Sequence, residues 1–294
     1  MSTWSIPITG GDDISVPVAW NFGLYYLNYH PFYVGPDEIY RIDITTGTRT
    51  LLGTFEGDPV AAGRAQETTL VNGKLYWVDR GGVRCFDVLT STFKWQKQLT
   101  TPGEFTHIGR APAVSNNAVI IFGGTSGKGK LYVLYAANGN TAFSIPDPRT
   151  TSGQVGPGPI VGRNGRVLVH NNGQWICFNV NSRSVAWHRN GIGSTLVVAN
   201  GKLYANTGFS FACHDEATGA ELWRDESTIP GGVSSMVVSN NILFISAVET
   251  FAFNVHTREQ VWHYSHGGAL SLTSKVLMIS GGNSGSYAFR TPTL

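Results

Sequence analysis

A repeat of about forty residues runs through the chain and constrains its fold more than any other feature of the sequence. In each clear copy a small apolar residue is followed ten residues later by a tryptophan. The clear copies are Cys85 to Trp95, Cys177 to Trp187, Cys213 to Trp223 and Ala252 to Trp262. Less regular copies run from Arg41 to Leu51 and from Val133 to Phe143, and a seventh begins at Lys275 and reaches Arg290. A period of this length is typical of solenoids and propellers, so the elements inside one unit decide between them.

Each unit contains four short segments with the composition of β-strands, separated by turn sequences. Asn-Gly or Asn-Asn pairs, as at 72–73, 200–201 and 240–241, favour tight turns because Asn and Gly tolerate a positive φ. Seven units in 294 residues average 42 residues, close to the roughly 40–45 residues of a four-stranded propeller blade. The sequence therefore predicts one all-β domain over residues 1–294, a seven-bladed β-propeller of four-stranded blades.

The seventh unit ends before its tryptophan, and the N-terminus supplies a candidate for the missing strand. Counting ten residues from Ala288 to Leu294 and onward from Met1 reaches Trp4. We therefore expect residues 1–8 to complete the last blade as its outer strand. Such closure would leave no open sheet edge on which chains could aggregate.

Charge and hydropathy exclude several classes of function. Charged residues make up 14% of the chain, and the net charge is +2 without a run of Lys or Arg, so neither nucleic acid nor a membrane is an expected partner. No apolar run approaches the roughly 18–20 residues of a membrane span, and residues 1–7 lack the pattern of a signal peptide. Three cysteines in so long a chain do not suggest a disulfide framework. These features predict a cytoplasmic protein.

The units resemble the PQQ-like repeat of quinoprotein dehydrogenases and of BamB-type outer-membrane assembly scaffolds. The resemblance rests on Asn-Gly-Lys-Leu-Tyr at 72–76 and 200–204 and on Ala-Thr-Gly-Ala-Glu-Leu-Trp at 217–223. It implies the propeller but little about function, because the repeated residues are those of blade packing. The PQQ-binding dehydrogenases typically have eight blades and often adjacent cysteines over the quinone. This chain has seven repeats and no adjacent cysteines, so we expect neither PQQ nor another cofactor.

Three further motifs have simple structural explanations. Cys85, Cys177 and Cys213 share one repeat position, where a small apolar side chain packs between sheets. His263 and His266 would point to opposite faces of a strand and make a poor metal-chelating pair. The glycine-rich segment 123–130 lacks the spacing of a phosphate-binding loop and precedes a strand, which favours a hairpin.

A candidate site is expected where the first strands of the blades begin, around the propeller axis. Arg110 is unusual there because the equivalent residues Gly158, Ser194 and Ser234 are small. Its guanidinium would bind an anionic group or pair with a carboxylate such as Glu67 or Glu104. His107 could then transfer a proton near neutral pH. The predicted catalytic residues are His107, Arg110 and Glu67, and the predicted ligand-binding residues are Asp13, Tyr29, His30, Tyr33, Asp79, His170 and His266.

Two functions from different classes fit these patterns. The first is a cofactor-independent, non-redox enzyme of the lyase, cyclase or isomerase type, with one axial site for a small, anionic ligand. The loops between second and third strands differ from unit to unit, which suits one unique site better than seven similar ones. The second is a scaffold of BamB-like fold that binds a protein partner and has no catalytic activity. The sequence favours the enzyme slightly, because no lipoprotein signal accompanies the propeller repeats.

Overall fold

The computed structural model of the chain describes residues 13–15, 18–29, 36–56, 67–79, 82–99, 111–125, 128–149, 158–225, 229–272, 276–280 and 286–290. The chain divides into two compact units, Met1–Pro159 and Ile160–Leu294. Every regular element within the described ranges is a β-strand. In this part of the chain no helix has the length and apolar character needed to cross a membrane. The prediction of an all-β protein is confirmed.

The described strands of the first unit form three antiparallel sheets. Its strands are β1 (Asp13–Ile14), β2 (Val18–Trp20), β3 (Gly23–Tyr29), β4 (Asp37–Asp43), β5 (Arg49–Phe55), β6 (Thr69–Val71), β7 (Lys74–Asp79), β8 (Gly82–Asp87), β9 (Thr92–Gln98), β10 (Ala113–Ser115), β11 (Ala118–Thr125), β12 (Lys128–Tyr135) and β13 (Thr141–Pro146). In the first sheet β1 and β2 pair with successive parts of β3, and β4 and β5 follow. The other two sheets are β6 to β9 and β10 to β13, each with its strands in sequence order.

The described strands of the second unit form four antiparallel sheets. Its strands are β14 (Ile160–Val161), β15 (Arg166–Asn171), β16 (Gln174–Asn179), β17 (Ser184–Asn190), β18 (Leu196–Ala199), β19 (Lys202–Asn206), β20 (Phe211–Asp215), β21 (Glu221–Arg224), β22 (Ser235–Ser239), β23 (Ile242–Ser246), β24 (Thr250–Asn254), β25 (Gln260–Tyr264), β26 (Ala269–Leu272), β27 (Val276–Ser280) and β28 (Ser286–Arg290). Three of these sheets have four strands, and the described part of the last, β26 to β28, has three. Meandering four-stranded sheets are the unit that the repeat predicts.

The ten-residue spacing in the sequence is a cross-strand pair in the structure. The paired residues are Cys85 and Trp95, Val133 and Phe143, Cys177 and Trp187, Cys213 and Trp223, and Ala252 and Trp262. A β-bulge adjoins each pair, and its extra residue lies on the fourth strand. Bulges strengthen the twist of an outer strand and make its free edge a poorer template for pairing.

The first sheet corrects one of the irregular copies. Leu51 pairs with Tyr40 rather than with Arg41, and the bulge lies between Ile39 and Tyr40. The pair equivalent to Cys85 and Trp95 is therefore Ile39 and Gly53. Other sheets have a Trp or Phe at the position of Gly53. A Cβ on Gly53 would lie 3.1 Å from the Phe86 ring, so the ring of Phe86 from the next sheet fills that space.

Two tryptophans, Trp95 and Trp187, each donate a hydrogen bond to the next sheet along the chain. Trp95 Nε1 donates to the carbonyl of Ala136 at 2.8 Å, and Trp187 Nε1 donates to the carbonyl of Glu216 at 3.0 Å. A Cβ on Gly219 would meet the Trp187 ring at 2.9 Å. The turns at Gly139 and Gly219 thus pack directly against the tryptophan ring of the preceding sheet.

The same turn has a recurrent backbone conformation. An Asp or Asn at the end of the third strand accepts hydrogen bonds from amides two and three residues later, as Asp87 does from Leu89 and Thr90. In the turn between β12 and β13, Tyr135 takes the place of the Asp or Asn. The residue four positions later has a positive φ in each of the six complete turns that the structure describes. These residues are Gly47, Ser91, Gly139, Arg183, Gly219 and Arg258. Only some units use glycine here, although side chains rarely adopt this conformation.

The cores lie between neighbouring sheets of each unit. In the first unit, Leu27, Phe55, Trp77 and Phe86 belong to one buried cluster and Cys85 to the next. In the second unit, Cys177 and Cys213 belong to comparable clusters. All three cysteines are buried and free of disulfides, which confirms the interpretation of their repeat position as packing.

Candidate functional site

Several of the residues predicted for the axial site lie outside the described part of the chain. These residues are His30, Tyr33, His107 and Arg110, and their roles remain predictions. Two more are described only by their backbones. These two are Asp13, which pairs with Tyr29 across β1 and β3, and Asp79, which pairs with Gly82 at the end of β7.

Glu67 is the predicted catalytic residue that the structure describes. Its Oε2 accepts a hydrogen bond from the amide of Ala111 at 3.3 Å. Two residues later, the Thr69 hydroxyl donates to the carbonyl of Pro112 at 2.6 Å. These bonds join the start of β6 to the segment that leads into β10. The Glu67 carboxylate therefore lies beside the residue that directly follows Arg110.

Tyr29, predicted for the ligand-binding rim, is buried in the structure. Only 2% of its surface is exposed, and its ring packs edge-on against Phe55 at a centroid distance of 6.0 Å. Tyr29 belongs to the cluster that contains Trp77. Strand β3 extends to Tyr29 and turns this side chain toward the neighbouring sheet, so it stabilises the core.

The two described histidines of the predicted rim have different surroundings. The half-buried His170 ring lies 5.2 Å from the Trp175 ring, and burial lowers the pKa of His170. Trp175 Nε1 in turn donates to the carbonyl of Gly193 at 2.7 Å. His266 instead makes a 3.2 Å contact through Nδ1 with the Ser265 hydroxyl. The contacts of His170 are those of a packed aromatic cluster, with its neutral form favoured.

His263 and the cysteines, for which the sequence predicts no metal site, make contacts with their neighbours. His263 Nε2 lies 3.0 Å from a Glu249 carboxylate oxygen and its ring stacks on Phe251, while His266 is held by its own neighbours. Burial raises the pKa of Cys177 to about 12, so its thiol stays protonated. Among the described residues no group of three or more His, Cys, Asp or Glu could hold a metal ion.

The glycine-rich segment 123–130 is a hairpin, as predicted. Strands β11 and β12 pair as far as Thr125 and Lys128. No helix begins after it in the described chain, so it lacks the helix N-terminus that a phosphate-binding loop requires.

An open cavity of about 560 Å³ lies on the first strands of the second unit. It is lined by Ile160, Leu196, Val197, Val198, Val237, Val238, Ser239 and Leu272. The lining is aliphatic apart from the Ser239 hydroxyl. Apart from that hydroxyl, the described lining offers no side chain that could transfer a proton or bind a charged group.

Exposed apolar side chains on β18 to β25 are the feature that the sequence interpretation missed. Phe209 is 62% exposed and Val248 59%, each in the connection between the second and third strands of its sheet. Leu222 and Val261, at the outer-strand bulges of the same two sheets, are also exposed. Comparing repeat positions would have found them, because other units have small or charged residues there, such as Ala186 and Lys94.

Phe209 and Val248 are held in ordered turns. The amide of Thr207 donates to the carbonyl of Ser210 at 2.9 Å, and the amide of Ile229 donates to the carbonyl of Phe209. At the other connection, the amide of Ala247 donates to the carbonyl of Glu249 at 2.8 Å. Both apolar side chains are thus presented on fixed backbone.

The sheets and their register define the class as a β-propeller protein built from PQQ-like repeats. The sequence model of the family described as outer membrane protein assembly factor BamB matches residues 28–206, and the chain belongs to this family. The resemblance found in the repeat sequences is therefore confirmed. No curated protein matches the chain.

Solved structures similar to this chain come from proteins of several kinds. BamB from Moraxella catarrhalis has a TM-score of 0.66 and 14% identity, with 92% of this chain and 82% of that chain covered. A chain of the mitotic checkpoint complex has a TM-score of 0.67 and 11% identity, covering 92% and 85%. A europium-containing methanol dehydrogenase has a TM-score of 0.52 and 11% identity, covering 90% and 81%. At these identities the similarity shows the fold alone.

Proposed function

We propose that this protein is a scaffold that binds a protein partner through apolar side chains exposed on its sheets. The observation that carries the proposal is the exposure of Phe209, Leu222, Val248 and Val261 on two neighbouring sheets. Large apolar side chains in water contribute nothing to folding, and contiguous ones mark interaction surfaces. A binding partner would recover roughly 25 cal/mol for each Å² of apolar surface that it covers.

The repeat shows that the fold does not need these side chains. Leu222 and Val261 stand at the bulge position of the outer strand, where other units have Lys94, Ala142 and Ala186. All these strands form the same ladder with the same bulge. The first sheet has Leu52 at this position, but that side chain packs against the core. Exposed apolar residues at the bulge are therefore found on the two sheets of Leu222 and Val261, as expected for one partner site.

The family and the structurally similar proteins agree with this proposal. The family is described as an outer membrane protein assembly factor, and one structurally similar chain is part of a mitotic checkpoint complex. Both descriptions concern proteins that work with other proteins. They support a partner-binding role for this chain without identifying the partner.

The test compares partner binding by the wild-type protein and by a variant with Phe209, Leu222, Val248 and Val261 all replaced by Ser. A control variant carries Lys94→Ser and His188→Ser, two exposed polar positions. A protein captured by the wild type from source cells is purified, and its complex is measured by sedimentation. We expect a defined complex with the wild type and the control, and none with the apolar variant. Equal binding by all three, or no defined complex at all, would contradict the scaffold function.

A second candidate is the non-redox enzyme with an axial small-molecule site. The observation in its favour is the bond between Glu67 and the Ala111 amide, which brings one predicted catalytic carboxylate close to Arg110 in the chain. Arg110 would hold an anionic ligand and His107 would transfer the proton. A panel of carboxylate and phosphate compounds tested by thermal shift, with Arg110→Ala beside the wild type, separates this candidate from the scaffold. Stabilisation of the wild type alone would support it.

We also propose that the seven repeats form one closed ring, with residues 1–8 as the outer strand of the last blade. The support is the count from Ala288 to Trp4 and the three described strands of the last sheet. Deleting residues 1–8 should then lower the melting temperature and promote aggregation, because β28 would be left as an open edge. An unchanged melting temperature would contradict closure.

A further inference from the structure

The hairpin of β4 and β5 in the first sheet is longer than the corresponding hairpins of other sheets. In the five four-stranded sheets that the structure describes, a single ladder pair lies between the bulge and the Asp, Asn or Tyr that begins the turn. In the first sheet three pairs precede the turn at Asp43. They are Tyr40 with Leu51, Arg41 with Thr50, and Ile42 with Arg49. Arg49 therefore lies on an extension of the hairpin that the other sheets do without.

The Arg49 side chain stacks on a pair of tyrosines from the same sheet. Its guanidinium carbon lies 3.6 Å from the centre of the Tyr40 ring and 5.8 Å from that of Tyr26. The two tyrosines are a cross-strand pair of β3 and β4, with ring centroids 5.6 Å apart and an angle of 20° between the rings. Stacking uses the flat face of a guanidinium, so the N–H groups in its plane can still donate.

Two buried donors of this stack have no hydrogen-bond partner in the described part of the chain. They are Arg49 Nε and Tyr26 Oη. The Tyr26 side chain is fully buried, and burial raises its pKa although the charge of Arg49 opposes the shift. The phenol therefore keeps its proton at neutral pH and can donate it. Buried polar groups nearly always have a partner, and the partner that would satisfy two donors is an acceptor.

The carboxylates that the structure describes leave the charge of Arg49 unpaired. On the same hairpin Arg41 contacts Asp43 at 3.3 Å, whereas Arg49 forms no ion pair with a described residue. Glu38 lies on the same face of β4, but its Oε2 accepts a hydrogen bond from Asn28 Nδ2 at 3.1 Å. Glu38 precedes Tyr40 by two residues, and the ladder partner of Arg49 follows Tyr40 by two residues. An acceptor that carries a negative charge would therefore suit this position.

We propose that Arg49 and Tyr26 bind an oxyanion, either a carboxylate or a phosphate group, on this face of the first sheet. The in-plane edge of the guanidinium donates two hydrogen bonds, one of them from Nε, which is the strong bidentate arrangement for such anions. The Tyr26 hydroxyl donates to the same group, and the Tyr40 ring holds the plane of the guanidinium. This site goes beyond the proposed scaffold function and does not depend on it.

The test is a titration of the full-length protein with sodium acetate and, separately, with inorganic phosphate. Binding is followed by calorimetry at constant ionic strength, because a change in ionic strength alters every exposed charge. We expect saturation at one equivalent. Saturable binding of either anion supports the site, and the comparison of the two shows whether a carboxylate or a phosphate fits it better. If neither anion saturates, the inference is wrong.

Variants of Arg49 and Tyr26 locate the anion. Arg49→Gln should weaken binding at least about tenfold, because it removes the charge and the fork of donors. Arg49→Lys should weaken it by about threefold or more, since it keeps the charge without the fork. Tyr26→Phe should also weaken it by about threefold or more, because one donor is lost. Matching circular dichroism spectra confirm that each variant is folded, and if Arg49→Gln does not fold, the other two decide.

Matched controls come from the opposite face of the same two strands. Tyr25 and Arg41 are a cross-strand pair of β3 and β4, so Tyr25→Phe and Arg41→Gln change the same kinds of group away from the site. Each should change the affinity less than about twofold.

Two results with these variants would overturn the inference. An unchanged affinity in Arg49→Gln or in Tyr26→Phe would place the anion elsewhere. Equal losses in Arg41→Gln and Arg49→Gln would show attraction to positive charge in general. The fourfold apolar variant of the scaffold test should bind the anion like the wild type, so either proposal can fail without the other.

Discussion

The indole ring of Trp187 occupies the space that a side chain at Gly219 would need. The two residues belong to neighbouring sheets, and the Trp187 Nε1 bond to the Glu216 carbonyl fixes the ring above the turn. Gly219 has a φ of +69°, so two separate requirements select glycine at this position.

Gly219→Ala should destabilise the protein by about 2–5 kcal/mol, because a strained φ and a clash with an indole ring add together. Urea unfolding followed by tryptophan fluorescence measures the effect. Gly201→Ala is the matched control, since Gly201 has a φ of +75° and open space around its Cα. We expect about 1–2 kcal/mol there, from the backbone strain alone. Equal losses in the two variants would mean that the ring does not constrain Gly219.

Trp187→Ala should cost about 3–5 kcal/mol, the usual effect of removing a large buried side chain. Trp187 is 7% exposed, whereas Trp262 is only half-buried, so Trp262→Ala should cost clearly less. The repeat spacing alone predicts equal roles for the two residues. Calorimetric melting of both variants decides between an equal and an unequal contribution.

Ser91→Gly should stabilise the protein by about 0.5–1 kcal/mol, because Ser91 is exposed with a φ of +53° and glycine adopts this conformation without strain. Arg258 has a φ of +66° at the equivalent position, but its guanidinium carbon lies 5.1 Å from the centre of the Trp223 ring. Arg258→Gly should therefore gain less, since it removes a cation–π contact. A larger gain at Arg258 would show that this contact contributes nothing.

His214→Phe should make stability less dependent on pH below neutrality. His214 is 4% exposed, and burial lowers its pKa below the usual 6.5. The unfolded chain then binds the proton more readily, so the stability due to neutral His214 is present above about pH 6.5 and is lost as pH falls. Phe86, Phe178 and Phe253 occupy the equivalent position in other units. The difference between the urea midpoints at about pH 7.5 and pH 5 should be smaller in the variant than in the wild type. If the variant kept the full pH dependence of the wild-type stability, the effect would belong to another group, such as His170.

The three thiols should react with a disulfide reagent only after the sheets separate. Burial raises the pKa of Cys85 and Cys213 to about 11 and that of Cys177 to about 12, so almost no thiolate exists at neutral pH. We expect no labelling of the native protein on the time scale of minutes and complete labelling in urea. Rapid labelling of one thiol in the native state would identify a sheet that opens locally.

The ladder pairs could be predicted because they depend on local features. The bulge and the turn lie within ten residues of each pair, so the Cys85 to Trp95 spacing contains all the information needed to align the two strands. The pairing of Arg41 with Leu51 was predicted wrongly because the bulge of the first sheet lies between Ile39 and Tyr40. The outer strand of this sheet has no tryptophan that would mark the bulge in the sequence.

The site could be predicted less well because exposure depends on neighbouring sheets. Tyr29 follows a strand-like segment and precedes a polar loop, so its sequence fits a rim position, but the Phe55 ring of β5 packs against it. Phe209 is the opposite case. Its sequence resembles that of the core aromatics, but the turn at Gly208 leaves its side chain exposed. No pattern within one repeat distinguishes these two cases.

The direction of the tryptophan bonds has a consequence for synthesis on the ribosome. Each bond runs from a tryptophan to a carbonyl later in the chain: 41 residues later for Trp95 and 29 later for Trp187. A sheet that has just emerged therefore has an indole N–H without its acceptor until the next turn has been translated. The newest tryptophan of the nascent chain can be buried only after the following unit has been synthesised. Until then its apolar ring stays exposed at the growing end, while the earlier sheets are already complete.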